Sequence, residues 1–179
     1  MGRTGKLFAH EWSGIAPDVM AAAKGIAGGV PMGAILAREA FAKHFAAGTH
    51  GSTFGGNPLA SAAANAVLDV ILAPGFLAEV ERKGRELHAE LEAIRRDFPD
   101  LFEEVRGFGL ILGLKCRVPQ ADVQQACLAE GLLVLTAAEN VVRLTPPLVI
   151  TDADIAEAVA MLRRGAARCM SAAEAAAAQ

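Results

Sequence analysis

The sequence has no run of lysine and arginine that could form a basic surface, and no uncharged apolar run of about 18 residues. Seventeen basic residues against 20 acidic ones leave a formal net charge of -3. These absences argue against binding to nucleic acid or to an anionic membrane. The first residues, MGRTGKLF, lack the apolar core of a secretion signal, and Lys6 stands where a myristoylation signal requires serine or threonine. The sequence therefore predicts a cytoplasmic protein with neither nucleic acid nor membrane as a partner.

Cysteine is also scarce. Cys116, Cys127 and Cys169 are odd in number and widely spaced, with no CxxC pair and no histidine at a ligand interval. This pattern indicates reduced thiols, buried or incidental, and predicts neither a disulfide nor a metal site.

Small and apolar residues are abundant, and they divide the sequence into two parts. With 179 residues, of which 53% are hydrophobic, the chain can bury a real core. Residues 1–75 are rich in glycine and alanine and are broken by loops. The pattern there predicts short strands at 19–23 and 33–37 and helices at 39–46 and 58–72.

Residues 76–168 have a more regular pattern, which predicts a small α/β unit. Its first element is a long amphipathic helix over 76–97, whose apolar face comprises Leu77, Val80, Leu87, Leu91 and Ile94. Thr151, with Asp154 three residues later, predicts the start of the last helix in a variant capping box. Between these helices, the predicted elements are strands within 105–116, at 132–136 and at 140–145, and a helix over 119–131. Residues 169–179 are an alanine-rich tail that we expect to extend the last helix.

A single lysine, Lys24, stands in AAAKGIAGGVPMG between three alanines and a glycine-rich loop. Taken alone, this is the pattern of an ordinary surface residue at the end of a strand. An amine that attacks a carbonyl must first lose its proton, however, and apolar surroundings favour its neutral form. The neighbouring glycines would let the backbone approach a flat cofactor. The stretch matches neither GxGxxG nor a Walker loop, and GRTGK at residues 2–6 is too short for one, so a nucleotide site is not favoured.

Two further motifs carry candidate binding residues. In GTHGSTFGGNPLA, the hydroxyls of Ser52 and Thr53 precede a helix that Pro58 can open, which suits a phosphate, although a polar loop capped by Asn57 explains the motif equally well. In NVVRLTPPL, Arg143 interrupts an apolar strand. An arginine there could grip a carboxylate in two parallel hydrogen bonds, and a structural ion pair is the alternative.

Together these residues resemble a family. The motifs GRTGKLFAHEW, APDVMAAAKGIAGGVPMGAILA, HGSTFGGNPLASAAANAVLDVI, VRGFGLILGLK and VVRLTPPLVIT, in this order, resemble the C-terminal half of class III pyridoxal-phosphate aminotransferases, most closely the acetylornithine aminotransferases. The resemblance leaves only the tail uncovered. It implies an α/β fold, the C-terminal portion of a fold-type-I transferase: part of the cofactor-binding large domain at 1–75, a small C-terminal α/β domain at 76–168 and a tail at 169–179.

The resemblance also implies site residues. Lys24 would bond covalently to pyridoxal 5'-phosphate (PLP), with Ser52 and Thr53 as further cofactor ligands, Thr53 acting on the phosphate across the interface of a homodimer. Arg143 would bind the substrate's α-carboxylate. The implied reaction passes an amino group from N2-acetylornithine to 2-oxoglutarate, a step of arginine biosynthesis. Ornithine, succinyl-diaminopimelate and 4-aminobutyrate aminotransferases share the scaffold and are alternatives.

A non-catalytic fragment is the rival hypothesis. In the family, the acid that pairs with the pyridine nitrogen, the first phosphate-binding turn and the aromatic that stacks on the ring precede the part that this sequence resembles. We therefore expect the 179-residue chain alone to bind PLP weakly and to catalyse no transamination.

Overall fold

The computed structural model describes residues 1–177, and the chain divides into two compact units. The first comprises Met1–Gly2 and Lys6–Leu77, and the second comprises Arg3–Gly5 and the chain from Ala78 onward. The division after residue 77 lies two residues from the domain boundary predicted at 75. Residues 3–5 differ from that prediction, because they belong with the second unit. The assignment of the units to a large and a small domain stays a prediction.

The first unit contains a two-stranded antiparallel sheet, and its strands β1 (Val19–Ala22) and β2 (Ala34–Ala37) agree with the predicted ones within a residue. The remaining elements are 3-10 helices at Ala9–Ser13 and Lys24–Ala27, helix α1 (Glu39–Ala42) and helix α2 (Pro58–Ile71). A small core forms where Ile26 and Ala27 are buried with Ala64 of α2.

Helix α1 is shorter than predicted. The sequence predicted a helix over 39–46, but α1 ends at Ala42 and turns follow it. Phe41 and Phe45 remain 45% and 52% exposed, so no buried apolar face supports a second helical turn.

The second unit is a four-stranded antiparallel sheet with three helices. Its strands are β3 (Phe102–Phe108), β4 (Ile111–Cys116), β5 (Leu135–Ala137) and β6 (Val141–Leu144), in the order β3-β4-β6-β5. Its helices are α3 (Phe76–Asp97), which enters the unit at Ala78, α4 (Gln120–Ala129) and α5 (Asp152–Ala177). The predicted stretch 105–116 is thus part of a hairpin, and α5 takes in the tail up to Ala177. Residues 178–179 lie outside the described part of the chain.

The core of the second unit follows the predicted periodicities. Helix α3 buries Val80, Leu87, Leu91 and Ile94, whereas Leu77 is only half-buried. Strands β4 and β6 pair Leu112 with Leu144 and Leu114 with Val142, and all four side chains are buried.

The capping box at the start of α5 forms as predicted. The amide of Asp154 donates to the Thr151 hydroxyl at 3.1 Å, and the Thr151 amide donates to an Asp154 carboxylate oxygen at 2.9 Å. Among the described residues, no single helix is both long and apolar enough to cross a bilayer, and α2 and α3 reach that length and hydropathy only when both are counted together.

The turn between β5 and β6 contains a structural residue that the sequence did not reveal. Asn140 has a positive φ of 61°, and its side-chain amide donates to the carbonyls of Cys116 and Val118 at 2.7 and 2.8 Å. Its side-chain oxygen accepts from the amide of Gln120 at 2.9 Å. Asn140 therefore satisfies the first amide of α4 from a distant turn.

Two glycines let three backbone segments touch. A Cβ on Gly84 of α3 would lie 2.5 Å from the Cα of Gly109, in the turn between β3 and β4. Gly109 has a φ of +55°, and a Cβ there would lie 2.6 Å from the carbonyl oxygen of Arg3. No side chain fits at either place, so α3, the β3–β4 turn and residues 3–4 approach at backbone distance.

We predict that Gly84→Ala destabilises the protein by about 1–3 kcal/mol, although alanine is the better helix former by about 1 kcal/mol. The added methyl group would force α3 away from the β3–β4 turn. Urea unfolding followed by circular dichroism measures the difference. Glu90→Ala, at an exposed position of the same helix, is the control and should stay within about 0.5 kcal/mol of wild type. A Gly84→Ala protein as stable as wild type would contradict the close contact.

Candidate functional site

Lys24 has a strained backbone. Its φ is +58°, and the other non-glycine residues with positive φ in the described chain are Glu139 and Asn140. The left-handed conformation costs a lysine about 1–3 kcal/mol and is found preferentially at functional sites. Lys24 adopts it directly after extended Ala23, at the first position of the 3-10 helix Lys24–Ala27.

The turn that follows Lys24 is held by packing. Ile26 is 7% exposed and Ala27 2% exposed, and both belong to the core formed with Ala64 of α2. Gly28, with a φ of +63°, closes the turn by donating its amide to the Gly25 carbonyl at 3.3 Å. Burial of the two side chains therefore stabilises the backbone on which Lys24 stands.

The surroundings of Lys24 differ from the sequence expectation. Its side chain is exposed, as are Ala21 and Ala23, so the alanines do not form an apolar enclosure around the amine. The physical reason is that methyl groups on a two-stranded ribbon are too short to enclose a lysine side chain. Among the side chains that the structure describes, those of residues 1–172, no carboxylate lies at ion-pair distance from the Lys24 amine.

Ser52 lines a cavity of about 330 Å³, and Thr53 does not. The lining residues come from the loop after Lys24, from the loop before α2 and from the first turn of α2: Pro31, Met32, Gly33, Ser52, Phe54, Gly55, Gly56, Asn57, Ala60 and Ser61. Thr53 is exposed outside this cavity. The structure thus brings Ser52 to the loop that follows Lys24, but it places neither Thr53 nor Lys24 in the same lining.

The capping interpretation of this loop is confirmed, and the phosphate interpretation stays a prediction. The Asn57 side chain accepts the amide of Ala60 at 2.9 Å and caps α2, with Pro58 at the first helical position, as predicted. The hydroxyls of Ser52 and Thr53 make no hydrogen bond to another described residue. They are therefore available as ligand donors beside a loop in which Gly55 packs directly against Ser52, since a Cβ on Gly55 would lie 2.9 Å from that of Ser52.

Arg143 belongs to the second unit, where it lies in β6 between Gly113 of β4 and Leu135 of β5. Its Nε is buried and has no acceptor in the described part of the chain, and no carboxylate pairs with its guanidinium there. The structural ion pair that the sequence left open is therefore not formed with any side chain that the structure describes. A buried donor without a partner costs about 1–3 kcal/mol, which a bound acceptor would recover.

A second cavity, of about 350 Å³, includes Arg143 in its lining. Its other lining residues are mainly apolar: Leu87, Leu132, Leu133, Leu135, Leu144, Thr145, Pro146, Pro147, Ile150, Ile155 and Ala158.

Arg3 is a polar residue of the second unit that sequence reasoning missed. It lies in GRTGK, which is too short for a nucleotide loop, and its Nη1 donates to the carbonyls of Leu110, at 3.2 Å, and Pro146. The sequence signal that could have pointed to such a residue is Pro146, at the end of a predicted strand. Proline has no N–H, so a neighbouring carbonyl needs a donor from elsewhere.

The three cysteines are buried free thiols. Burial raises the pKa of the Cys116 and Cys127 thiols to about 11, which leaves them protonated at neutral pH and poor nucleophiles. The described residues contain no group of three or more histidine, cysteine or acidic side chains that could hold a metal ion.

Comparison with known proteins identifies the family. Residues 1–165 match the model of aminotransferase class III. This chain belongs to the class III aminotransferases. Its α/β fold is part of the fold-type-I architecture of those transferases.

Individual members of the family are also similar to this chain. The chain is 57% identical over 166 residues to an acetylornithine aminotransferase of Mesorhizobium japonicum, a match that covers 93% of this chain and 42% of that protein. A crystal structure of acetylornithine aminotransferase from Elizabethkingia anophelis is 34% identical, with a TM-score of 0.86 over 93% of this chain and 43% of that one. An ornithine aminotransferase structure from Toxoplasma gondii is 30% identical, with a TM-score of 0.89 over 95% and 41%. The chain thus spans less than half the length of these relatives.

We predict that Lys24→Gly is more stable than Lys24→Ala by about 1 kcal/mol. Alanine keeps the left-handed penalty of about 1–2 kcal/mol, whereas glycine avoids it and loses about 0.5–1 kcal/mol through its greater freedom when unfolded. Urea unfolding of the two variants measures the difference. The control pair Lys43→Gly and Lys43→Ala should show the opposite order, since Lys43 has a φ of -58°. Equal or lower stability of Lys24→Gly would contradict strain at Lys24.

Proposed function

We propose that the protein carrying this chain is a PLP-dependent aminotransferase that transfers an amino group from N2-acetylornithine to 2-oxoglutarate. The observation that carries the proposal is Lys24, whose exposed amine has no ion-pair partner among the described residues and stands on a strained turn held by buried Ile26 and Ala27. Strain at a reactive side chain is typical of a site whose geometry serves chemistry.

The donor groups present fit PLP. Lys24 offers an amine that can bond to an aldehyde. Ser52 and Thr53 offer two hydroxyls that have no partner in the described part of the chain and stand near Gly55 and Gly56 in sequence, which suits a phosphate group. PLP, when bound, supplies an electron sink that a protein side chain cannot provide.

Lys24 has two tasks in this mechanism. Its Nζ, after losing a proton, would hold the cofactor covalently. Once a substrate amine had released it, the free Nζ would accept a proton from the substrate carbon and deliver that proton to the cofactor carbon. General acid–base transfer of this kind contributes about 10²–10⁴-fold to a rate. The left-handed backbone of Lys24 fixes the direction of its Cα–Cβ bond. The positions that the amine can reach for proton transfer therefore depend on the turn.

Arg143 binds the carboxylate of the amino donor and of the oxo acid. A guanidinium presents two parallel N–H groups to a carboxylate, which fixes both the position and the rotation of the substrate. Its buried Nε lacks an acceptor within the described chain, so the bound carboxylate would complete its hydrogen bonding.

Acetylornithine is favoured as the donor over ornithine by sequence similarity. The Mesorhizobium japonicum acetylornithine aminotransferase is 57% identical to this chain, whereas the Toxoplasma gondii ornithine aminotransferase is 30% identical. The activity would place the protein in arginine biosynthesis in the cytoplasm.

We propose a homodimer in which Thr53 acts on the cofactor phosphate of the partner subunit. Thr53 is exposed, and the next residue, Phe54, is 80% exposed; Leu59, near the start of α2, is 75% exposed. Large apolar side chains exposed at a surface are typical of an interface. A hydroxyl beside such a patch can reach a ligand on another subunit.

The test is a chimera in which this chain replaces the 166 matched residues of the Mesorhizobium japonicum enzyme. It should transaminate acetylornithine, and borohydride should trap PLP on it. Lys24→Ala should abolish both, because only a lysine amine forms the reducible bond. Lys43→Ala, which removes another exposed lysine of the first unit, is the matched control and should retain both. Mass spectrometry that located the trapped adduct on Lys6, Lys43, Lys83 or Lys115 would refute the role of Lys24.

Arg143→Lys should affect substrate more than cofactor. Lysine keeps the charge but loses the planar fork, so the KM for both the amino donor and 2-oxoglutarate should rise about tenfold or more while the cofactor absorbance stays unchanged. Steady-state kinetics and a visible spectrum of the chimera measure the two effects.

Arg106→Lys is the matched control for this variant. Arg106 lies on the same sheet face as Arg143, because both are register partners of Gly113, but its guanidinium pairs with Glu104 at 2.8 Å and Glu139 at 2.6 Å. Arg106→Lys should leave both KM values near wild type. Equal KM changes in the two variants would show that Arg143 has no special role in substrate binding.

A further inference from the structure

The hydrogen-bond ladder between β4 and β6 cannot continue past Leu112 and Leu144. The amide of Cys116 donates to the Asn140 carbonyl at 2.8 Å, so the even-numbered residues of β4 direct their backbone groups toward β6. The register pairs Leu112 with Leu144, and two more residues along each strand would pair Leu110 with Pro146. Pro146 has no N–H to donate to the Leu110 carbonyl.

Arg3 takes the place of the missing ladder pair. The Leu110 amide donates to the Arg3 carbonyl at 2.9 Å. The Arg3 guanidinium, through Nη1, donates to the Leu110 carbonyl at 3.2 Å and to the Pro146 carbonyl. Gly109 permits this approach, since a Cβ there would lie 2.6 Å from the Arg3 oxygen. One residue thus satisfies three backbone groups at the open end of two strands.

Arg143 lies near this same end of β6. Arg143 lies three residues before Pro146, and both belong to the lining of the 350 Å³ cavity, with Thr145 and Pro147 between and beyond them. Without a donor for the Leu110 and Pro146 carbonyls, this end of the sheet would open to water. The backbone that carries Arg143 would then lose its fixed position.

We propose that Arg3 is a positioning residue for Arg143, because its guanidinium supplies the hydrogen bonds that Pro146 cannot and so holds the end of β6. The consequence for carboxylate binding rests on the proposed function, whereas the effect on β6 itself does not.

Hydrogen exchange of the full chain tests the proposal. In ¹⁵N-labelled protein, Arg3→Ala should speed exchange at the Leu144 amide and at the Arg143 Nε–H by about tenfold or more, as expected when carbonyls lose a charged donor. The Nε–H signal is assigned by its loss in Arg143→Lys. The amide of Leu162, buried in α5, should exchange as in wild type. Arg85→Ala, which removes an exposed arginine paired with Glu81 on α3, is the control and should change neither signal.

Arg3→Lys covers the case in which the alanine variant does not fold. Lysine keeps a cationic donor on a less well matched side chain, so exchange at Leu144 should fall between wild type and Arg3→Ala. Wild-type exchange at both Leu144 and Arg143 in the Arg3 variants would overturn the proposal. An equal increase at Leu162 would overturn it as well, because it would mean that Arg3 stabilises the whole unit and has no specific effect on β6.

A titration with 2-oxoglutarate separates this proposal from the proposed function. The wild-type Arg143 Nε–H signal should shift on binding, and Arg3→Ala should need more ligand for the same shift, because the apparent Kd rises as the fraction of molecules that hold Arg143 in position falls. A wild-type signal that does not respond counts against Arg143 as the carboxylate ligand. The exchange rates at Leu144 would still decide the role of Arg3.

Discussion

The second unit is organised around a contact between backbones that side chains would prevent. Gly84 of α3 meets Gly109, and Gly109 in turn meets Arg3, at distances that leave no room for a Cβ on either glycine. This contact brings residues 3–4 to the ends of β4 and β6. The hydrogen bonds of Arg3 to Leu110 and Pro146 depend on it, and so does the end of the strand that carries Arg143. A packing constraint between residues distant in sequence from Arg143 therefore determines the hydrogen bonding at the end of its strand.

The first unit combines an unfavourable backbone with a favourable core. The left-handed conformation of Lys24 costs free energy, and burial of Ile26 and Ala27 with Ala64 provides compensating stabilisation within a few residues. The two effects are separated along the chain: the strain falls on the residue that presents the amine, and the burial falls on the residues directly after it. Such a division lets the Lys24 side chain remain exposed while its backbone stays fixed.

Arg106 and Arg143 show how neighbours decide the role of a residue type. Both lie on the same sheet face, as cross-strand partners of Gly113. Arg106 has two acidic partners, and its guanidinium lowers the pKa of the Glu139 carboxyl below its usual value. Arg143 has no acidic partner within the described residues, and its Nε is buried. A ligand carboxylate would therefore have to displace two acids at Arg106 and none of the described acids at Arg143.

Local patterns determined much of this protein. The α3 periodicity, the capping box at Thr151 and Asp154, and the Asn57–Pro58 start of α2 are encoded by residues within a few positions of one another, so the sequence alone predicted them. Lys24, Ser52, Thr53 and Arg143 were found as candidates because their residue types are unusual in their surroundings. Tertiary structure decided the rest: the exposure of Lys24, the position of Ser52 but not Thr53 in a cavity lining, the lack of an acceptor for the Arg143 Nε among the described residues, and the hydrogen bonds of Arg3. Each depends on which distant backbone or side chain lies nearby, and Arg3 reaches Pro146 across 143 positions of sequence, a distance that no local pattern spans.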